Sequence, residues 1–134
     1  MPYGSLQDGL YLLRQPAQKP GIHHYGILDV GNRLGIQGVD GRQPVVVHQT
    51  PPRLRPDWLQ ETGQWEVHLQ ITDEQAAIQR INKAFLNPNY DLFGNNCEHF
   101  ARYVATGVHE STQLQVAGMI AGLAALVWIA IEDR

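Results

Sequence analysis

A chain of 134 residues is long enough for one compact domain with a buried core and too short for two ordinary ones. Ten Lys and Arg against thirteen Asp and Glu give a formal charge of -3, and the cations are nowhere denser than the "RLR" of residues 53–55, so nucleic acid is excluded as a partner. The single cysteine, Cys97, excludes an internal disulfide, and "MPYGSLQDGLYLLRQ" lacks the basic start and apolar run of a secretory signal, so a reducing, cytoplasmic setting is expected.

In chain order, "LQDGLYLLRQ" predicts a first strand, broken by "PAQKPG". "GIHHYGILDVG" predicts a second and the β-branched "VVVHQT" a third, ending at Pro51 and Pro52. These two are expected to pair as an antiparallel hairpin across the Gly-rich loop "GNRLGIQGVDGRQP". "PPRLRPDWLQETG" reads as irregular and exposed, and "QWEVHLQI" alternates as a further strand. "TDEQAAIQRINKAFL" predicts a helix starting at Thr72, with Gln75 in capping-box spacing and Ala76, Ala77, Ile78, Ile81 and Phe85 on its buried face. After the turn-rich "NPNYDLFGNN", "CEHFARYVATG" resumes helical spacing through Phe100, Ala101 and Val104 and stops at Gly107.

Residues 116–131, "VAGMIAGLAALVWIAI", carry no charge. As a helix they would span roughly 24 Å at ~1.5 Å per residue, a little short of a ~30 Å hydrocarbon core. Apolar residues lie all round this run, more than a domain of this size can cover, so membrane association is expected. Gly118 and Gly122 add a small-xxx-small pair.

The chemistry centres on Cys97. Asn95 or Asn96 is a suitable N-cap, which places Cys97 in the first helical turn, where unpaired amides and the helix dipole favour thiolate, the nucleophilic form. A base and a group to orient it would complete the site. His99, two residues along the same helix, points about 200° away and is a poor base. His23 and His24 face opposite ways on a strand, and His48 on the next strand is suited to pair with one of them. Against this stands the bland alternative of Cys97 as a small buried hydrophobe. No C-x-x-C or H-x-x-x-H spacing is present, so neither metal nor other cofactor is expected. Glu98 and His99 read as solvated or helix-packing residues, His68 and His109 as surface or packing ones. Tyr25, Tyr90, Phe93, Trp58 and Trp65 read as core or groove wall.

"NNCEHF", with "HYGIL" and "VVVHQT" before it, resembles the lecithin:retinol acyltransferase family, which includes small phospholipase/acyltransferases and bacterial relatives. The resemblance extends to the first strand, the helix before "NYDLFGNNCEHF" and the apolar tail. It departs from the family in the long interval between His24 and His48 and in Leu28, where tyrosine is common.

The resemblance implies an α+β fold, the circularly permuted papain-like (NlpC-type) arrangement. An antiparallel β-meander packs on helices in a catalytic domain of residues 1–112, and residues 113–134 form an apolar C-terminal helix serving as anchor. It implies Cys97 as the nucleophile that takes an acyl group from a phospholipid or other acyl lipid, His24 as base, and His48 as the residue orienting it; strand alternation leaves His23 as the other choice of base. The expected protein is a membrane-associated thiol acyltransferase or phospholipase with its domain facing the cytoplasm. The rivals are a cysteine peptidase or amidase of the same superfamily and a non-catalytic membrane-tethered binding module.

Overall fold

The structure is a computed structural model and describes residues 5–16, 23–89 and 96–107. The tail of residues 113–134, His109, Tyr90 and Phe93 lie outside these. Five strands form one antiparallel sheet: β1 (Gly9–Arg14), β2 (Tyr25–Val30), β3 (Val45–Thr50), β4 (Arg53–Trp58) and β5 (Glu66–Gln70), in the order β4-β3-β2-β1-β5. A 3₁₀ turn, Leu59–Glu61, follows β4, and among the described residues the helices α1 (Glu74–Ala84) and α2 (Cys97–Thr106) complete the α+β fold. The first four strands are a meander, and β5 returns to pair beside β1.

Because side chains alternate across a strand, β1, β2 and β3 feed two cores. Leu10, Leu12, Tyr25, Ile27, Val45 and Val47 face the helices and pack with Phe100, Ala101 and Val104 of α2 and Ala77 and Ile81 of α1. Tyr11, Leu13, Leu28 and Val46 face the other way, where Leu59 and Trp65 from the β4–β5 connection cover them. These three strands are therefore apolar on both faces, as strands inside a sheet covered on both sides must be.

The hairpin expected between the second and third strands is present, with Ile27 opposite Val47 and Asp29 opposite Val45. Its long loop is closed by short-range bonds. Asp29 is buried and accepts from the amides of Arg33 and Leu34 at 2.7 and 3.1 Å. Burial drives the Asp29 carboxyl up from its ordinary range, more than those two hydrogen bonds and Arg33 draw it down, and Glu74 adds to the rise.

Three readings are corrected. The stretch after Pro52 is a strand, not irregular chain. β4 lies at the sheet's edge, where Pro56, which has no N–H to give, interrupts nothing beyond its partner β3. Its exposed Arg53 and Arg55 made it look like loop because one face meets solvent. The first helix is capped by Asp73, whose carboxylate accepts from the amide of Ala76 at 3.1 Å, so Thr72 stands outside it. Phe85, expected inside, is 38% exposed at the helix C-cap.

Candidate active site

α2 begins where the residue types predict. Asn96 is the N-cap, its side-chain oxygen accepting from the amide of His99 at 2.9 Å, which makes Cys97 the first helical residue. Gly107 ends the helix at φ 82°, a left-handed conformation suited to glycine, and its amide donates to Tyr103 at 2.7 Å. Glu98 and His99 are buried, so packing, not solvation, describes them; Arg102 donates from Nε to the Glu98 carboxylate at 2.8 Å.

The apolar face of α2 fixes the helix on β2 and β3, and its first turn comes to the start of β2. There the Cys97 thiol donates to the carbonyl oxygen of His23, 3.7 Å away, at the residue preceding His24.

The two adjacent histidines part company. His23 donates from Nδ1 to the carbonyl of Gln15 at 2.8 Å, tying it to the end of β1. The backbone of His24 pairs with Gln15, whose amide donates to the His24 carbonyl at 2.8 Å, and its imidazole turns to the opposite face. There His24 Nε2 lies 2.8 Å from His48 Nδ1. The structure thus brings His24, and not His23, to His48.

His48 is itself held from its other side. Its Nε2 lies 2.8 Å from Asp57 Oδ2, which also accepts from Arg55 Nε at 2.9 Å. His24, His48 and Asp57 form a diagonal across three neighbouring chain segments on one face of the sheet. Arg55 is directly opposite His48, and Asp57 is opposite Val46, two residues along β3 from His48.

Trp65 closes the site. Its ring lies against His24 with centroids 5.3 Å apart and planes tilted 36°, and edge-on to His48 at 6.3 Å; its Nε1 donates to Thr62 Oγ1 at 2.7 Å. Gly26 makes room for this. A Cβ there would stand 2.9 Å from Val46 Cγ1, 3.3 Å from Trp65 Cη2 and 3.4 Å from His48 Cβ. In this enclosure the imidazolium is poorly solvated. Burial, and secondarily the charge of His48, lower the His24 pKa from 6.5 to about 4. His24 is accordingly a neutral imidazole at neutral pH, able to take a proton.

Asp57 and Gly26 were not singled out from sequence, whereas Trp65, read there as core or groove wall, is buried against both histidines. A signal for Asp57 exists: folding "VVVHQT" and "RLRPDW" about Pro51-Pro52 sets His48 against Arg55 and puts Asp57 on the same face. A groove of about 380 Å³ lined by Ile36, Val39, Val45, Pro56, Asp57, Trp58 and Glu61 lies toward the far end of β3 from His48; Cys97 and His24 are not in its walls.

Residues 59–110 match the family model for lecithin retinol acyltransferase. The matched segment contains Trp65, both helices and Cys97, whereas His24, His48 and Asp57 precede it. No curated protein matches the chain. Over this segment, which holds Cys97 at the head of α2, the chain is similar to the lecithin retinol acyltransferase family.

Proposed function

We propose that the protein is a thiol acyltransferase or phospholipase that takes an acyl group from a glycerophospholipid onto Cys97. The observation that carries the reading is the neutral, desolvated His24, hydrogen-bonded to His48 beside the strand start that the Cys97 thiol touches. The family match supports the chemical class.

Cys97 Sγ attacks the ester carbonyl carbon while His24 takes the thiol proton. His24 then gives that proton to the departing glycerol oxygen, leaving a thioester on Cys97. In the second half, His24 takes a proton from water, an amine or a hydroxyl. That acceptor attacks the thioester, and the proton returns to the Cys97 sulfur as it leaves. The backbone N–H of Cys97, in the first helical turn, is suited to stabilise the oxyanion.

Because His24 and His48 precede Cys97 in the chain, we read the fold as the circularly permuted papain-like arrangement. We assign residues 1–112 to the catalytic domain and residues 113–134 to a membrane anchor, on the strength of the uncharged run 116–131. Among the described residues no helix is long and apolar enough to cross a membrane. An anchor would hold the domain, facing the cytoplasm, at the lipid surface and replace a search through solution with a local one.

The test is intact mass spectrometry after incubation with phosphatidylcholine vesicles, with Cys97→Ala and His24→Ala alongside. A fatty-acyl mass on wild type, located to Cys97 and missing from both variants, is expected. If there is no adduct, released fatty acid or lysophospholipid, the reading fails and a peptidase or binding module takes its place.

A further inference from the structure

We infer that Asp57, acting through His48, selects the tautomer in which His24 can serve as base, so that the proton relay has four members: Cys97, His24, His48 and Asp57. The inference rests on the acyl-transfer reading for its purpose and on hydrogen-bond geometry for its content.

Donor and acceptor counting fixes the relay's direction. An ionised carboxylate only accepts, and Arg55 Nε donates to the same Asp57 oxygen, at 2.9 Å, that faces His48 Nε2 at 2.8 Å. His48 Nε2 therefore carries hydrogen and donates. In the state where His48 is neutral it has one N–H, and its Nδ1 is then left as an acceptor. That nitrogen lies 2.8 Å from His24 Nε2, which must then carry the hydrogen of their bond. His24, also neutral, keeps its lone pair on Nδ1, the nitrogen with which it can then accept a proton.

Removing the carboxylate would leave His48 with two tautomers to choose from. In the second, His48 Nδ1–H donates to His24 Nε2, and His24 carries its own proton on Nδ1, where it cannot accept another. The diagonal from β4 thus decides whether the base is usable at the other end. It also serves the charged state. When His24 takes the proton, its Nε2–H already points to a lone pair on His48, whose Nε2–H points to the carboxylate, so no group has to turn over. Asp57 touches neither substrate nor thiol and is a positioning residue.

The experiment uses the full chain with ¹⁵N-labelled histidine. Ring ¹⁵N–¹H correlation spectra report the tautomer of each histidine, and the rate of Cys97 alkylation by iodoacetamide against pH reports the base. Cys97 is the chain's one cysteine, so alkylation has one target.

Wild type is expected to show hydrogen on Nε2 of both His24 and His48. Asp57→Ala is expected to move His24 substantially to the Nδ1–H form and to slow alkylation at neutral pH by roughly 10–100-fold, as loss of a partner that orients a functional histidine does. Asp57→Asn keeps an oxygen that Arg55 can orient, so it should hold both tautomers and lose less. A wild-type His24 or His48 with hydrogen on Nδ1 overturns the inference without recourse to any variant. So does an Asp57→Ala protein with unchanged tautomers, or with shifted tautomers and an unchanged alkylation rate. A wild type whose tautomers and alkylation follow Asp57 but which gains no acyl group from lipid keeps the relay and overturns the acyl-transfer reading alone.

Discussion

His24 Nε2 and His48 Nδ1 stand 2.8 Å apart although 24 residues separate them in sequence, and the bond joins two rings that Trp65 shields from water. Because burial lowers the His24 pKa to about 4, formation of the Cys97 acyl adduct should stay level from neutral pH into mild acid and fall by half only near pH 4. A half-point near 6.5 in the pH–rate profile would mean that His24 is solvated and the enclosure open.

The same depressed pKa makes stability fall with acid. Between pH 6.5 and about 4 the unfolded chain binds a proton that folded His24 refuses. The contribution is therefore fully present above 6.5 and is lost as pH falls through that window. At roughly 1.4 kcal/mol per pH unit, the window is worth on the order of 3 kcal/mol. Urea denaturation at several pH values, with His24→Asn as control, should show the slope in wild type and a flatter one in the variant.

Trp65→Ala should lose about 3–5 kcal/mol, the usual cost of emptying a large aromatic site. It should also let water reach His24 and raise its pKa toward 6.5, an effect a merely destabilised core would not have. NMR titration of the His24 ring measures the second effect; an unmoved titration would show that other burial dominates.

Gly26→Ala adds one methyl into a gap walled by Val46, Trp65 and His48, with the closest approach 2.9 Å. Strain of about 1–3 kcal/mol is expected. Since His48 and Trp65 would have to give way, the acyl-adduct rate should fall more than the melting temperature alone accounts for. An adduct rate equal to wild type in fully folded protein would show that the two rings can shift harmlessly.

Arg102→Ala removes the 2.8 Å hydrogen bond and ion pair to the buried Glu98 carboxylate. Burial lowers the Arg102 pKa, but the hydrogen bond and charge of Glu98, with help from Tyr25, raise it further, so the net direction is up. A loss of about 3 kcal/mol is expected, because a buried carboxylate loses an ion-pair partner. Arg102→Ala with Glu98→Gln should recover part of it. Denaturant midpoints for the single and double variants decide this, and identical midpoints would show that Glu98 finds another cation.

Much of this was legible in the sequence because its causes are local. Asn96 and Gly107 mark the ends of α2 through their own side chain and backbone, and the apolar runs of β1, β2 and β3 announce buried strands. The pairing of His48 with either His23 or His24 was legible as a choice, and the Gln15 carbonyl that claims His23 was not, since it lies just past the end of β1, not next to His23 in sequence. Asp57 was missed for a related reason. Its role depends on the register of an edge strand whose alternating charges and Pro56 resemble loop.

The two connections that flank β3 are under unequal constraint. The loop from Gly31 to Pro44 joins the strand ends remote from His24 and His48, so residues added there lengthen the interval between the histidines without moving either ring. The Pro51-Pro52 turn sits at the near end and sets which residues of β4 stand beside His48. One residue gained or lost in that turn would rotate Asp57 to the helix-facing side and bring its neighbour into its place. The fold therefore tolerates a change in the spacing from the first histidine to the second, while the spacing from the second histidine to the aspartate is fixed by the turn.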